Sequence, residues 1–266
     1  MRFIMTTSSR RISTSLFVSL GLVAVLSLTV VPGTPSANAA ESPVGLGNAG
    51  SFAVLGAETV TNTGPTIVSG DLGVNAGSAV TGFPPGIVSN GSVHITDTLS
   101  ALAQKDLVTA YNDAAGRAPT KSGLVALDGL TLTPGVYSGG ALSLGGTLTL
   151  NGGASDVFIF QASSTLITGS GSKVLLTGGA SECNVFWQVA SSATLETGSA
   201  FVGTVMALTS VSAATGATVS GRLLARNGGV TLDNNKIIRP TSCSTSGSPT
   251  PATPATPVPG RARFTG

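Results

Sequence analysis

The side chains able to do chemistry are few and scattered. The 266-residue chain carries one His, two Cys and 11 acidic residues, and the acids from Glu58 to Asp233 form no Asp-Asp or Asp-x-x-Asp pair. Lyases and hydrolases acting on polysaccharides need clustered carboxylates or a base beside a groove. His94 stands just before a helix start with no nucleophile in reach along the sequence, so it reads as a structural His. No Gly-x-Ser-x-Gly segment is followed by a His. One His with Cys183 and Cys243 cannot supply the usual four zinc ligands. No enzyme, no metal and no cofactor is expected. Only 9% of the residues are charged, against about a quarter in ordinary soluble domains. With Arg2, Arg10 and Arg11 set aside, ten basic residues face eleven acidic ones, a net charge of −1. That balance lacks the basic footprint a phosphate backbone requires, so nucleic acid is not an expected partner.

The three arginines set aside belong to residues 1–40, which read as an export signal. They supply its positive end, Leu16 to Val31 its apolar run, and Ala37-Asn38-Ala39 its small-x-small cleavage pattern. The expected location is extracellular, with no membrane contact once the signal is cut. In that oxidising setting Cys183 and Cys243, at two coil ends, are expected to pair. Residues 242–266 are rich in Ser, Thr and Pro and read as an unpacked tail with no sorting motif. One domain remains, over 43–241.

Within that domain one segment has a helical period. Leu99, Leu102, Ala103, Leu107, Ala110, Tyr111 and Ala114 recur at three-and-four spacing, with Asp97 as cap and Gly116 and Pro119 as stop, which predicts a helix over about 97–115. The rest is short β-rich pieces between Gly, Ser and Asn. Thr197-Gly198 returns as Thr215-Gly216 and Thr147-Leu148 as Thr165-Leu166, each 18 residues on. Thr194-Leu195, Ser212-Ala213 and Thr231-Leu232 continue the pattern, and Thr59 to Leu72 is an upstream copy. A larger step of 29, from Thr165 to Thr194, contains an excursion at Gly178 to Asn184. Coils of 18 or 19 residues fit a three-sided β-solenoid, in which Leu148, Leu166, Leu195, Ala213 and Leu232 point inward and stack. The strict six-residue phase of left-handed hexapeptide solenoids is absent.

Six segments, in this order and spacing, resemble the secreted ice-binding proteins of cold-adapted bacteria, fungi and algae. They are Phe52 to Gly56, Val80 to Gly86, Leu132 to Tyr137, Asp156 to Gln161, Asn184 to Val189 and Gly221 to Arg226. The resemblance spans residues 44–240. It implies a mainly β fold: a discontinuous right-handed three-sided parallel β-helix with one long α-helix alongside, its first and last coils packed together. It also implies that one flat face binds ice through Thr-Ala/Gly-x-Thr/Asn steps. The matching steps begin at Thr59, Thr165, Thr194, Ser212 and Thr231, with Glu196, Asp233 and Ile167 as departures from small neutral residues. The expected ice-binding residues are therefore Thr59, Thr61, Thr147, Thr149, Thr165, Thr168, Thr194, Thr197, Ser212, Thr215 and Thr231. Ala200, Val202, Thr218 and Ser220 mark a rival face. The expected protein is a monomer whose partner is an ice surface; the alternative is an adhesin or envelope scaffold on the same fold.

Overall fold

The structure, a computed structural model, describes residues 41–243. The expected export signal and all but the first two residues of the expected tail lie outside the described residues.

The described chain winds into a three-sided parallel β-helix. On the first side, strands such as Phe158–Ala162 and Val185–Val189 are buried on both faces. Phe160, Trp187, Val205 and Leu223 point into the solenoid, while Ile159, Phe186, Met206 and Leu224 point out under the helix. Burial on both faces accounts for the unbroken apolar runs in these strands. Within the core Phe160 stacks on Trp187 with ring centroids 3.9 Å apart, and the Trp187 indole N–H donates to the Val202 carbonyl at 2.9 Å. An aromatic ring with its one polar atom satisfied can be fully buried without penalty.

The helix, Thr98–Gly116, covers that outer layer with Ala103, Leu107, Ala110, Tyr111 and Ala114. It begins where Asp97 accepts the Ser100 backbone N–H and the Ser100 hydroxyl accepts the Asp97 N–H. Its far end is closed from the sheet, since the Gln161 amide donates to the carbonyls of Ala114 and Arg117, both at 2.8 Å.

Sequence order and stacking order differ. Leu55 is in register with Leu224 of the last full coil, Thr61 with Thr231, and Val68 with Ile237. The first coils thus extend the stack beyond the last one, and the helix carries the chain back to Lys121–Ala126, beside Gly135–Leu144. This is the discontinuous β-helix that the resemblance implies.

The coil steps are not all those of the repeat. Phe158 registers with Val185 and Ile167 with Thr194, a step of 27 rather than 29. Phe186 to Thr204 is 18 and Ser212 to Thr231 is 19. The excursion does fall at 178–184, where Gly178 and Gly179 have left-handed φ and a 3-10 turn spans Glu182–Asn184. Cys183 in that turn is disulfide-bonded to Cys243, 60 residues away. Closing a loop of that length contributes about 4 kcal/mol on the chain-entropy estimate.

Candidate functional site

The second side of the β-helix carries an outward row of hydroxyls. Its strands are three to five residues long, among them Leu166–Thr168, Ala193–Leu195, Val211–Ala213, Val230–Asp233, Thr59–Thr63 and Ala79–Thr81. Alternation turns the flanking residues inward, mostly Leu, Ala or Val with Thr168 and Asn62 among them, and leaves one residue between or beside them facing out, the middle position of the face. Register then aligns those middle residues in one rank: Ile167, Thr194, Ser212, Thr231, Thr61 and Thr81. Ser143 of the neighbouring coil extends it past Ile167. Neighbours in the rank stand about 4.8 Å apart, the strand spacing. Thr61 and Thr231 are close enough for their hydroxyls to hydrogen-bond, at 3.4 Å.

Two residues before each middle position lies a flanking rank with the same outward sense. It holds Thr165, Ser192, Ser210, Gly229, Thr59 and Ala79. The separation from the middle rank is about 6.7 Å along the strand. On the other flank Thr197 and Thr215 are exposed at the corner, while Glu196 and Asp233 are half-buried.

The expected site residues therefore divide. Thr61, Thr194, Ser212 and Thr231 form the middle rank, Thr59 and Thr165 the flank, and Thr197 and Thr215 the corner. Thr168 is 1% exposed and its hydroxyl accepts the Glu196 backbone N–H at 2.8 Å, so it is a core hydrogen-bonding group and not a surface one. Thr165 sits one full alternation too early to pair with Thr194, and the middle position falls to Ile167, 46% exposed. Thr147 and Thr149 belong to the third side, in register with Lys173 and Leu175. Leu148 and Leu166 are both buried, but from different sides, and the 18-residue likeness between them is not a coil step. Leu166 pairs with Ala193, and Leu195 pairs with Ala213 and then Leu232.

The third side has another character. Its outward rank runs Thr147, Lys173, Ala200, Thr218, Lys236, Ile67 and Ile87. The rival residues Ala200, Val202, Thr218 and Ser220 all lie here, beside two lysines and exposed Ile67, Ile87, Leu175 and Ile238. The middle rank of the second side has no charged member.

Sequence reading missed Thr81, Ser143, Ser192, Ser210 and Thr63. The signal for Thr81 was available: Ala79-Val80-Thr81 repeats the alternation of Thr59-Val60-Thr61 twenty residues on. His94 is held between two carboxylates, with Nδ1 2.7 Å from Asp97 and Nε2 3.8 Å from Asp71. The Asp97 carboxyl is lowered to about 2, first by the Ser100 backbone N–H and then by His94. These groups organise the helix start. Among the described residues no three His, Cys, Asp or Glu side chains gather as a metal site.

A family model described as Ice-binding-like matches residues 54–238. The chain is 51% identical over 198 residues to an ice-binding protein of Nostoc sp. (strain HG1), covering 72% of each chain. It is 40% identical over 214 residues to an ice-binding protein of Colwellia sp, covering 74% of this chain and 84% of the relative. Among solved structures, it is similar to an ice-binding protein of an Antarctic biological consortium, with TM-score 0.72 and 44% identity over 79% of this chain and 96% of the other. An ice-binding protein of the Antarctic ascomycete Antarctomyces psychrotrophicus gives TM-score 0.73 and 41% identity, over 76% of this chain and 100% of that one.

Proposed function

The chain belongs to the Ice-binding-like family, and from that membership we propose that it adsorbs to ice through the second side of its β-helix and hinders crystal growth. The observation that carries this reading is the register that aligns Thr194, Ser212, Thr231, Thr61 and Thr81 in one uncharged rank.

The physical basis starts with threonine. Its hydroxyl and methyl share a β-branched carbon whose χ1 is restricted, so each side chain is held in a defined direction on the strand. Outward positions repeat at about 4.8 Å across strands and about 6.7 Å along them. Those spacings lie near repeats of the ice lattice, so water held by the hydroxyls and seated over the methyls can join the crystal surface. Waters already fixed by a rigid site cost little further entropy to immobilise. A charged group would orient water around itself, and the middle rank carries none. The flanking hydroxyls of Thr59, Thr165, Ser192 and Ser210 widen the same surface.

The protein acts outside the cell as a monomer after loss of residues 1–40, with residues 43–241 as the working domain and no catalytic step. The test is ice-affinity partition of the purified full chain, with recrystallisation inhibition scored beside it and a neutral protein of similar size as control. Enrichment in the ice fraction is the expected result. Exclusion from ice with no effect on recrystallisation would overturn the reading and direct attention to polysaccharide and cell-surface partners.

A further inference from the structure

The corner after the second side holds a rank of its own. The backbone turns there through left-handed residues, Gly198 at φ 67°, Gly216 at 72° and Asn234 at 49°. Their N–H groups donate to the coil beside them: Gly198 to the Thr215 carbonyl at 3.0 Å, Gly216 to that of Asp233 at 3.1 Å, and Asn234 to that of Thr63 at 2.8 Å. The residues just before the turn are therefore Thr197, Thr215, Asp233 and Thr63, in stacking order. Alignment by the repeat pairs Thr215 with Asn234 instead, because it misses that this coil is one residue shorter. Ser212 registers with Thr231 but Thr218 with Lys236, which leaves one residue fewer for the corner. Asn234 takes the place of a turn glycine, and Asp233 takes the place of a threonine.

Asp233 interrupts that rank in two ways. Its carboxylate puts a formal charge, with a hydration shell of its own, among side chains that are otherwise neutral hydroxyls. It also accepts the Thr215 hydroxyl proton. A carboxylate is an acceptor only and a hydroxyl has a single proton, so Thr215 keeps no donor for water. The corner itself does not depend on the carboxylate. Asn235 accepts the Asp233 backbone N–H at 2.6 Å and donates to the Ala214 carbonyl at 2.8 Å, which fixes the turn through backbone groups.

We propose that Asp233 is the residue that limits ice adsorption on this face, and that a threonine in its place completes a continuous rank from Thr197 through Thr215 to Thr63. The inference rests on the ice-binding reading above. Its test is thermal hysteresis and ice-affinity partition of the full chain carrying Asp233→Thr, with Asp233→Asn beside it. Asp233→Asn retains an oxygen for Thr215 but removes the charge, and it carries the test should Asp233→Thr fold poorly. Both variants should exceed the parent, Asp233→Thr by about twofold, since that change removes a half-buried charge and frees the Thr215 hydroxyl proton for water. Folded variants equal to or weaker than a parent that does partition into ice would overturn the proposal alone. A parent excluded from ice would overturn the ice-binding reading on which it stands.

Discussion

Thr194 and Thr168 have the same side chain and opposite surroundings, and alternation along a strand decides between them. Thr194 stands at the middle of Ala193–Leu195 with Ala193 and Leu195 buried on either side. Thr168 ends Leu166–Thr168 on the inward phase, where its hydroxyl receives the Glu196 N–H. A one-residue difference in phase turns a side chain to the other face. Replacing Thr168 with Val removes the acceptor from a buried donor, so it should cost about 1 kcal/mol in thermal or denaturant unfolding. Ice partition should be unchanged by that variant at temperatures where it stays folded. A loss of ice affinity without loss of stability would return Thr168 to the binding surface. The phase was readable within Thr165 to Thr168, but the pairing of Thr194 with Ile167, rather than with either threonine, was not. That pairing depends on the 27-residue step across the excursion, which short-range spacing does not encode.

The helix rests on its first turn and on what the sheet does to its last. Asp97 is the ordinary kind of N-cap, and its carboxyl falls from 3.8 to about 2 because the Ser100 N–H and then His94 favour the charged form. A folded-state pKa below the unfolded one gives stability that is complete above the unfolded value and is lost as pH falls through the folded one. The window is therefore pH 4 down to about 2. Helical circular dichroism and melting temperature should fall across it, and Asp97→Asn should flatten that part of the profile; an unaltered profile would remove Asp97 from the account. The apolar stripe, cap and stop predicted the helix over 97–115, one residue from Thr98–Gly116. Gln161 as the partner of the helix's last carbonyls was not legible, since it comes from a strand of the solenoid. The same holds for Arg222, which is buried with its guanidinium on the Gly50 carbonyl at 3.0 Å and falls to about 10 through desolvation. Local pattern finds the elements, while contacts between distant coils settle their fastening.

At the scale of the molecule, three sides of one β-helix have become three different surfaces. One is apolar and sealed by the helix, one carries Lys173, Lys236 and exposed Ile and Leu, and one carries the uncharged hydroxyl rank. The coil repeat and the family resemblance together made the architecture legible, because small corner residues and inward Leu, Val or Ala recur from coil to coil. They did not separate the second side from the third. Thr147 and Thr165 sit in similar Thr-Leu pairs, and period-two alternation is identical on both sides. If the second side alone adsorbs to ice, the same bulky ring must act differently on the second and third sides. Thr194→Tyr places a ring in the middle rank of the second side, and Thr147→Tyr places the same ring on the third, in the same coil architecture. With both variants confirmed as folded, ice-affinity partition should collapse for Thr194→Tyr and stay at the parent's level for Thr147→Tyr. The reverse pattern, or equal retention by both, would contradict the assignment of ice binding to the second side.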